Sequence, residues 1–351
     1  MNSRNAFSRR DFLMAGSALG LGALLPGLAR AAGEELVAAT FPGTWNEAHR
    51  NILKPAFMKG IDASVVQSII LGTDQISRLE AAKGGTPPFD VAIFDSPQVL
   101  DAVKQGLIME YPVAKSPHYG ELLPAFQDKW GPKISMQVIG IAYNPERVKT
   151  PPTRWEDLWD PRYKGRVGLT ALNSQLGIAF LAELNRIKGG TDADFGPAFK
   201  ALRELLPSVG AIAANLGAYA TLWQQEQVDI APYNFNFVQT LKGKGVPVEF
   251  VVPETGPVGW QTSMHVVAGS RVPELATRYI DTHLDAAVQA AMMKPPYDVI
   301  PTNGKVALQG AMTQTIARTQ ADLEKIRGLD WAALNPQRSA LIDRFNREIR
   351  A

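Results

Sequence analysis

The chain has 351 residues, of which 36 are basic and 34 are acidic, and its formal net charge is +2. This near-neutral balance gives no electrostatic reason to expect nucleic acid or an anionic membrane surface as a partner. Cysteine is absent, which excludes disulfides, thiolate metal sites, cysteine catalysis and a lipidated N-terminal cysteine.

Residues 1–31 have the features of an export signal. Arg9 and Arg10 precede the short apolar stretch 14–28, and small residues close that stretch at Ala29-Arg30-Ala31. This pattern is typical of a twin-arginine signal peptide cleaved near Ala31, which predicts a periplasmic protein. A disordered N-terminus or an uncleaved anchor is the alternative. The remaining residues 32–351 are enough for two ordinary domains or one large domain.

Beyond residue 31, short apolar runs alternate with longer helical patterns, as in βα units with a parallel or mixed sheet. Strands are predicted at residues 35–40, 63–70, 90–94, 138–143, 166–169, 229–233, 246–252 and 264–268. Helices are predicted at residues 46–60, 73–82, 175–188, 195–206, 272–284, 285–293 and from 326 onward. The order indicates two α/β lobes. Lobe one is predicted over residues 32–138 and 264–308, and lobe two over residues 139–263 and 309–351.

Sequence signatures of enzymes and metal sites are missing. His49, His118, His265 and His283 show no pair at the spacing of metal ligands, so each is expected to be an ordinary surface or core residue. Nucleophile elbows, phosphate-binding loops and dinucleotide-binding loops are also missing. We therefore expect no enzymatic activity, no cofactor and no metal. A secreted enzyme is a remote alternative, because twin-arginine export often serves cofactor-bearing redox enzymes.

Residues 154–169, RWEDLWDPRYKGRVGL, resemble a signature of extracellular solute-binding proteins. The resemblance is to the branch that includes the polyamine, ferric-iron, thiamine and phosphonate receptors of ABC importers. It implies that Trp155 and Trp159 pack the second lobe and that Gly165 makes a tight turn. The spacing agrees, since two tryptophans four residues apart share one face of a helix.

Weaker matches follow in the family's order along essentially all of the mature chain, at residues 89–94, 139–144, 229–236, 259–263 and 301–303. The resemblance implies an α/β, two-lobed periplasmic binding protein fold of type II, with mixed sheets flanked by helices and a hinge between the lobes. It also implies that residues 259–263 are a loop facing the cleft. Such a receptor closes on a small solute and delivers it to an inner-membrane ABC permease, usually as a monomer. A receptor that serves a chemotaxis or sensor protein fits the same sequence.

Candidate ligand-binding residues follow predicted strands or open helices in both lobes, where spare backbone N–H groups point into the cleft. In lobe one they are Phe41, Thr44, Trp45, Asp95, Ser96 and Tyr297, and in lobe two they are Asn173, Ser174, Gln175, Tyr233, Asn234, Trp260 and Thr262. Simpler roles are open for several of them. Residues 41–43 fit a plain turn, Ser174 fits a helix N-cap and Trp260 fits the core.

The charges of these candidates bear on the ligand. Polyamine receptors of the family surround an aromatic box with acidic residues, because ammonium groups need carboxylates and cation–π faces. Here Asn173, Gln175 and Thr262 are neutral, and Asp95 is the only obvious carboxylate. Ferric-iron receptors use neighbouring tyrosines, and no two of the eight tyrosines are adjacent. The pattern favours a carboxylate, a phosphonate or a zwitterion. A polyamine or other amine, stacked on an aromatic ring and paired with Asp95, is the alternative.

Overall fold

The computed structural model describes residues 34–350, so the predicted export signal lies outside the described residues. In this part of the chain, nine strands form one sheet. The strands are β1 (Glu34–Thr40), β2 (Ala63–Ile69), β3 (Val91–Asp95), β4 (Lys133–Tyr143), β5 (Val167–Thr170), β6 (Val209–Ala213), β7 (Ile230–Asn234), β8 (Glu249–Val251) and β9 (Val258–Val266).

The two halves of the sheet run in opposite directions. The strand order is β2, β1, β3, β9, β4, β7, β5, β6, and β8 adds to β4. β1 is parallel to both β2 and β3, and β5 is parallel to both β6 and β7. Between these groups, β9 is antiparallel to β3 and to β4, and β4 is antiparallel to β7. The carboxyl ends of the outer strands therefore point from both sides toward the middle of β4 and β9.

β4 and β9 are the long central strands, and they join the two halves. β4 pairs with β9 through residues 133–139 and with β7 through residues 139–143. β9 begins at Val258 rather than at residue 264, so the loop expected at residues 259–263 is wrong and these residues are strand. The polar run Gln261-Thr262-Ser263 interrupts the apolar pattern that marks a strand, although all three side chains are buried or half-buried within the sheet.

Helices surround the sheet, and none of those in residues 34–350 combines the length and apolar composition needed to cross a membrane. A π-helical turn, His49–Leu53, joins the first two helices into the single segment predicted there. The helices are α1 (Thr44–Ala48), α2 (Lys54–Met58), α3 (Gly72–Ala81), α4 (Ser96–Gln105), α5 (Gln175–Ile187), α6 (Gly196–Leu205), α7 (Leu216–Gln224), α8 (Phe235–Gly243), α9 (Pro273–Leu284), α10 (Ala286–Met292), α11 (Ala311–Thr315), α12 (Gln320–Glu324), α13 (Trp331–Leu334) and α14 (Arg338–Glu348).

The tryptophan-rich segment leads into β5. It forms a 3₁₀ helix, Trp155–Trp159, rather than an α-helix. Trp155 is fully buried, and the indole N–H of Trp159 donates to the carbonyl of Ala201 at 3.2 Å. Gly165 has φ +70°, the left-handed region that favours glycine. Both tryptophans therefore pack this half of the molecule and Gly165 makes the turn, as the resemblance implied.

Buried apolar side chains form one large cluster and two smaller clusters. The large cluster surrounds β4, β5 and β7, and the C-terminal helices join it through Trp331 and Phe345. The smaller clusters cover opposite faces of β1 and β3, since Ile93 belongs to one and its neighbour Phe94 to the other. The core is thus divided along the same line as the sheet, while the predicted lobe boundaries stay a prediction.

His49 and His283 form a buried pair behind Trp45. Their ring centroids lie 5.4 Å apart, and Trp45 lies 5.7 Å from His49 and 6.5 Å from His283. None of the four ring nitrogens has a hydrogen-bond partner among the described residues. Burial lowers the pKa of His283 to about 4, and burial together with the neighbouring His283 lowers the pKa of His49 well below its usual value.

We expect this pair to make the fold acid-sensitive. Both pKa values are lower in the folded than in the unfolded state, so the unfolded state takes up protons first as the pH falls below about 6.5. Each histidine then removes roughly 1.4 kcal/mol of unfolding free energy per pH unit, for His283 down to about pH 4. Urea unfolding should therefore show a smaller loss of stability between pH 7 and pH 5 for His283→Phe than for wild type.

Tyr279→Phe is the matched control, because Tyr279 is fully buried in the same cluster and burial raises the pKa of its hydroxyl. That substitution should leave the pH dependence unchanged. If wild type and His283→Phe lose the same unfolding free energy between pH 7 and pH 5, the prediction is contradicted.

Candidate functional site

Strand ends from both halves of the sheet meet at the middle of β4 and β9. β3 ends at Asp95, which stands opposite Thr262 of β9. β7 ends at Asn234, where it pairs with β4. Between them, Gln137 of β4 stands opposite Trp260 of β9. We call these five residues the central strip. In open α/β sheets, ligands bind outside the carboxyl ends of strands at such a switch point, so the strip is the candidate site.

Several polar atoms at and beside the central strip are buried without a hydrogen-bond partner among the described residues. They are Gln137 Oε1, Trp260 Nε1, both amide atoms of Asn234, the Tyr233 hydroxyl and Gln175 Oε1. Each such group costs roughly 1–3 kcal/mol, and native proteins rarely leave several close together. Such a concentration is expected where donors and acceptors face a small solute, so it supports the strip as the candidate site.

Asp95 is the carboxylate of the central strip. It accepts a hydrogen bond from the Thr262 hydroxyl at 2.7 Å. Burial raises the pKa of Asp95 to about 6, against the opposing effects of the Thr262 hydroxyl, of the Trp260 indole N–H, which is near Asp95 but outside hydrogen-bond geometry, and of the positive charge of Arg338. Burial therefore disfavours the ionised form of Asp95, and a positive group on a ligand would stabilise that form.

Ser96, the next candidate, is bonded to β9. Its hydroxyl donates to the Gln261 carbonyl at 3.1 Å and accepts from the Gln261 N–H at 3.2 Å. Ser96 also lines a small cavity of about 250 Å³ with Lys133 and Trp331. These bonds hold the start of α4 against β9, and a direct contact of Ser96 with a ligand stays a prediction.

The three candidates after β5 have different environments. Ser174 is the N-cap of α5, where its hydroxyl accepts from the N–H of Gly177 at 3.0 Å, and the side chain of Asn173 is exposed. Gln175 Nε2 donates to Gln98 Oε1 of α4 at 3.2 Å. Of the three, Gln175 therefore reaches across to the other half of the sheet, and Ser174 has the capping role that was open to it.

A cleft of about 1040 Å³ is lined by the candidates Thr44, Trp45 and Tyr233. No residue of the central strip lines this cleft, which adjoins the strip through Tyr233, the chain neighbour of Asn234. Phe41 lies edge-on to Trp45 at 6.3 Å. Tyr233 stacks between Phe237 at 6.0 Å and Trp223 at 6.3 Å. Aromatic rings from both halves of the sheet therefore line this cleft or pack against its lining, and we call them the aromatic wall; their contact with a ligand stays a prediction.

Tyr297 packs away from the central strip. Its hydroxyl accepts from Asn51 Nδ2 at 3.0 Å, and its ring lies against the apolar cluster under β1. The next residue, Asp298, lines the cleft instead, with φ 51°. Contact of Tyr297 with a ligand stays a prediction.

No motif in the sequence pointed to Gln137, Asp298 or Arg338. Gln137 sits alone within the apolar run of β4, and that isolated amide is the one signal the sequence offered. Asp298 adjoins a candidate, and Arg338 lies in the C-terminal helix, remote from every motif. Among residues 34–350, no group of three or more histidine and acidic side chains is arranged to hold a metal ion.

The sequence profile of a family described as bacterial extracellular solute-binding protein matches residues 86–327. The chain belongs to this family. Among curated proteins, this solute-binding protein is 25% identical over 264 residues to the spermidine/putrescine-binding periplasmic protein of Escherichia coli (strain K12), which covers 70% of this chain and 73% of that one.

Solved structures show the same fold. The spermidine/putrescine ABC transporter substrate-binding protein of Streptococcus pneumoniae superimposes with a TM-score of 0.73 at 17% identity, over 90% of this chain and 99% of that one. The binding protein AgtB of Agrobacterium tumefaciens R10, solved with agropinic acid, gives a TM-score of 0.71 at 17% identity, over 91% and 99%. The predicted periplasmic binding protein fold is confirmed.

Asp95→Asn should stabilise the ligand-free protein at neutral pH. The folded-state pKa of about 6 lies above the ordinary value of 3.8, so the contribution of Asp95 to stability is present below pH 3.8 and is lost as the pH rises through 6. Ionised Asp95 therefore costs about 1–3 kcal/mol at pH 7.5. Asparagine keeps an oxygen for Thr262 without that cost.

Urea unfolding at pH 7.5 and at pH 4 measures this difference. The variant should gain stability at pH 7.5 and match wild type at pH 4. A loss of stability at pH 7.5 would show that Asp95 serves the fold rather than a ligand.

Proposed function

We propose that this protein closes around a small organic solute that carries a carboxylate, a phosphonate or the two charges of a zwitterion, and delivers it to its permease. The observation that carries the proposal is the charge of the central strip. Four of its five residues are neutral, namely Gln137, Asn234, Trp260 and Thr262, and burial disfavours the negative charge of the fifth, Asp95. A diamine or polyamine needs more than one ionised carboxylate.

The charges lining the adjoining cleft also support this proposal. Its cationic side chains are Lys242, Lys244 and Lys294, and its acidic side chains are Glu47 and Asp298. Burial raises the pKa of Asp298, which weakens its negative charge. An entering polycation would therefore meet no excess of negative charge among the residues that line the cleft.

An amine is the second candidate ligand. It is favoured by the ligands for which two of the similar proteins are named. The Escherichia coli relative and the Streptococcus pneumoniae structure are both named for spermidine and putrescine. An amine would stack on Trp45 or Trp260 and pair with Asp95. The neighbour solved with agropinic acid shows that the same fold also takes an acid, so the fold leaves the ligand's charge open.

We place the protein in the periplasm, exported as a monomer by a twin-arginine signal over residues 1–31. The periplasmic relative supports that location. The proposed lobes cover residues 32–138 with 264–308, and 139–263 with 309–351, and β4 and β9 would form the hinge between them. A ligand that touches Asp95 from one lobe and Asn234 from the other would favour the closed form through its differential affinity for the two states.

A thermal-shift screen of residues 32–351 tests the proposal. The panel holds polyamines, quaternary amines, thiamine, amino acids, phosphonates, and aliphatic and aromatic carboxylates. A ligand present at about 100 times its dissociation constant adds about 2.7 kcal/mol of stability. We expect stabilisation by an acid or a zwitterion. Stabilisation by putrescine or spermidine would favour the amine candidate. If no compound of the panel stabilises the protein, the proposal is contradicted.

Trp260→Phe should weaken binding of whichever ligand that screen identifies, by about 1–2 kcal/mol. Phenylalanine keeps an aromatic ring in the core but removes the buried indole N–H, which has no partner in residues 34–350. Isothermal titration calorimetry measures the affinity. Trp155→Phe is the matched control, because its indole N–H is also buried without a partner there but belongs to the 3₁₀ helix before β5, where Trp155 packs against Phe180. The control should keep full affinity, and unchanged affinity in Trp260→Phe would remove Trp260 from the site.

A further inference from the structure

Three segments remote in sequence converge at the end of β3. Asn335 Nδ2 donates to the Pro97 carbonyl at 2.9 Å, which holds the turn before α14 against the start of α4. Gln175 bonds to Gln98 one residue later in α4. Arg338, the first residue of α14, donates to the Asn173 carbonyl at 3.1 Å. The start of α14 and the loop before α5 thus lie together beside Asp95.

Arg338 is half-buried and only partly satisfied. Within residues 34–350 it forms no salt bridge, and its bond to Asn173 uses one of five guanidinium donors. Burial lowers the pKa of Arg338, while the nearby carboxylates of Asp101 and Asp95 oppose that shift. A second carboxylate, supplied by a ligand, would take up the remaining donors in a bidentate pair.

Asp95 and Arg338 are close enough to influence each other but are not paired. The positive charge of Arg338 lowers the pKa of Asp95, yet no oxygen of Asp95 lies within 4.0 Å of the guanidinium nitrogens. Around them, Gln175 Oε1, Trp260 Nε1 and Asn335 Oδ1 are buried without partners in the described part of the chain. Opposite charges held apart among unsatisfied polar atoms are the arrangement expected for a ligand that carries both charges.

We infer that Arg338 binds the acidic end of the ligand and Asp95 its ammonium end, so that the ligand is a zwitterion of the amino-acid type. This inference rests on the proposed function and narrows it. α14 packs on the second half of the molecule, where Arg344 lies over the ring of Phe199, whereas Asp95 belongs to β3 of the first half. A zwitterion between Arg338 and Asp95 would bridge both halves and favour the closed form.

Three series of compounds matched in length test the inference. They are ω-amino acids, diamines and dicarboxylates of two to six carbons, exemplified by 4-aminobutyrate, putrescine and succinate, and α-amino acids are added to the first. Thermal shift and calorimetry of residues 32–351 should show binding of an amino acid and weaker binding of the diamine and dicarboxylate of the same length. Both Arg338→Gln and Asp95→Asn should lower the affinity for that amino acid by about 10- to 100-fold.

The amide of the same amino acid separates recognition from folding. It lacks the acidic end, so wild type and Arg338→Gln should bind it equally. Arg338→Lys keeps the charge but not the planar fork, and should give an intermediate affinity. Arg347→Gln is the matched control, since Arg347 is exposed on the same helix, and it should bind like wild type.

Several results would overturn the inference. The inference fails if Arg338→Gln binds the amino acid as tightly as wild type does. It also fails if wild type binds the diamine or the dicarboxylate more tightly than the amino acid of the same length. If another solute of the wider screen binds and no amino acid does, the inference fails while the proposed receptor function stands. If no compound of either screen binds, the proposed function fails with it.

Discussion

The antiparallel pairing of β4 with β9 is the interaction on which the rest of the structure depends. Every strand of one half reaches the other half through these two strands, because β3 bonds to β9 while β7 and β8 bond to β4. Their close approach needs glycine at position 259, where a Cβ atom would clash with the Gln137 carbonyl. Gln137, Trp260 and Thr262 of the central strip lie on this pair, so the strands that join the halves also carry most of the candidate site.

Burial determines the electrostatics of that site. Asp95 and Arg338 carry opposite charges that burial disfavours, and each has fewer partners than its chemistry allows. A fold selected for stability alone would pair them or replace them with apolar residues. In the proposed site, such a cost in stability is the usual sign of a trade between stability and function. The unpartnered atoms of Gln137, Asn234 and Trp260 follow the same pattern.

The aromatic wall belongs to both the cleft and the core. Trp45 lines the cleft and also packs against His49 and His283. Tyr233 lines the cleft while stacked between two other aromatic rings. Such rings have little freedom to rearrange, because close-packed interiors resist small displacements. The wall is therefore preformed, and under the proposed function the motion of closure is expected at β4 and β9.

Local signals in the sequence determined the α/β class, most elements and the family. The alternation of apolar runs and helical patterns placed β1, β3, β5 and β7, and the segment from Trp155 to Gly165 folds as the resemblance implied, because these features depend on residues close in sequence. The same signals placed Asp95, Tyr233 and Asn234 at strand ends. They missed the start of β9, because the polar side chains of Gln261 and Thr262 are satisfied by Ser96 and Asp95, which are distant in the chain.

Only the tertiary structure decided which candidates share one site. Trp260 and Thr262 reach the central strip through strand register, Gln137 joins it from the middle of an apolar strand, and Arg338 arrives from the C-terminal helix. Sequence spacing carries no record of such contacts, since strand pairing and helix docking bring together residues far apart in the chain. For the same reason, the sequence pointed to Asp95 as the carboxylate of the candidate site but gave no sign that the guanidinium of Arg338 lies near it.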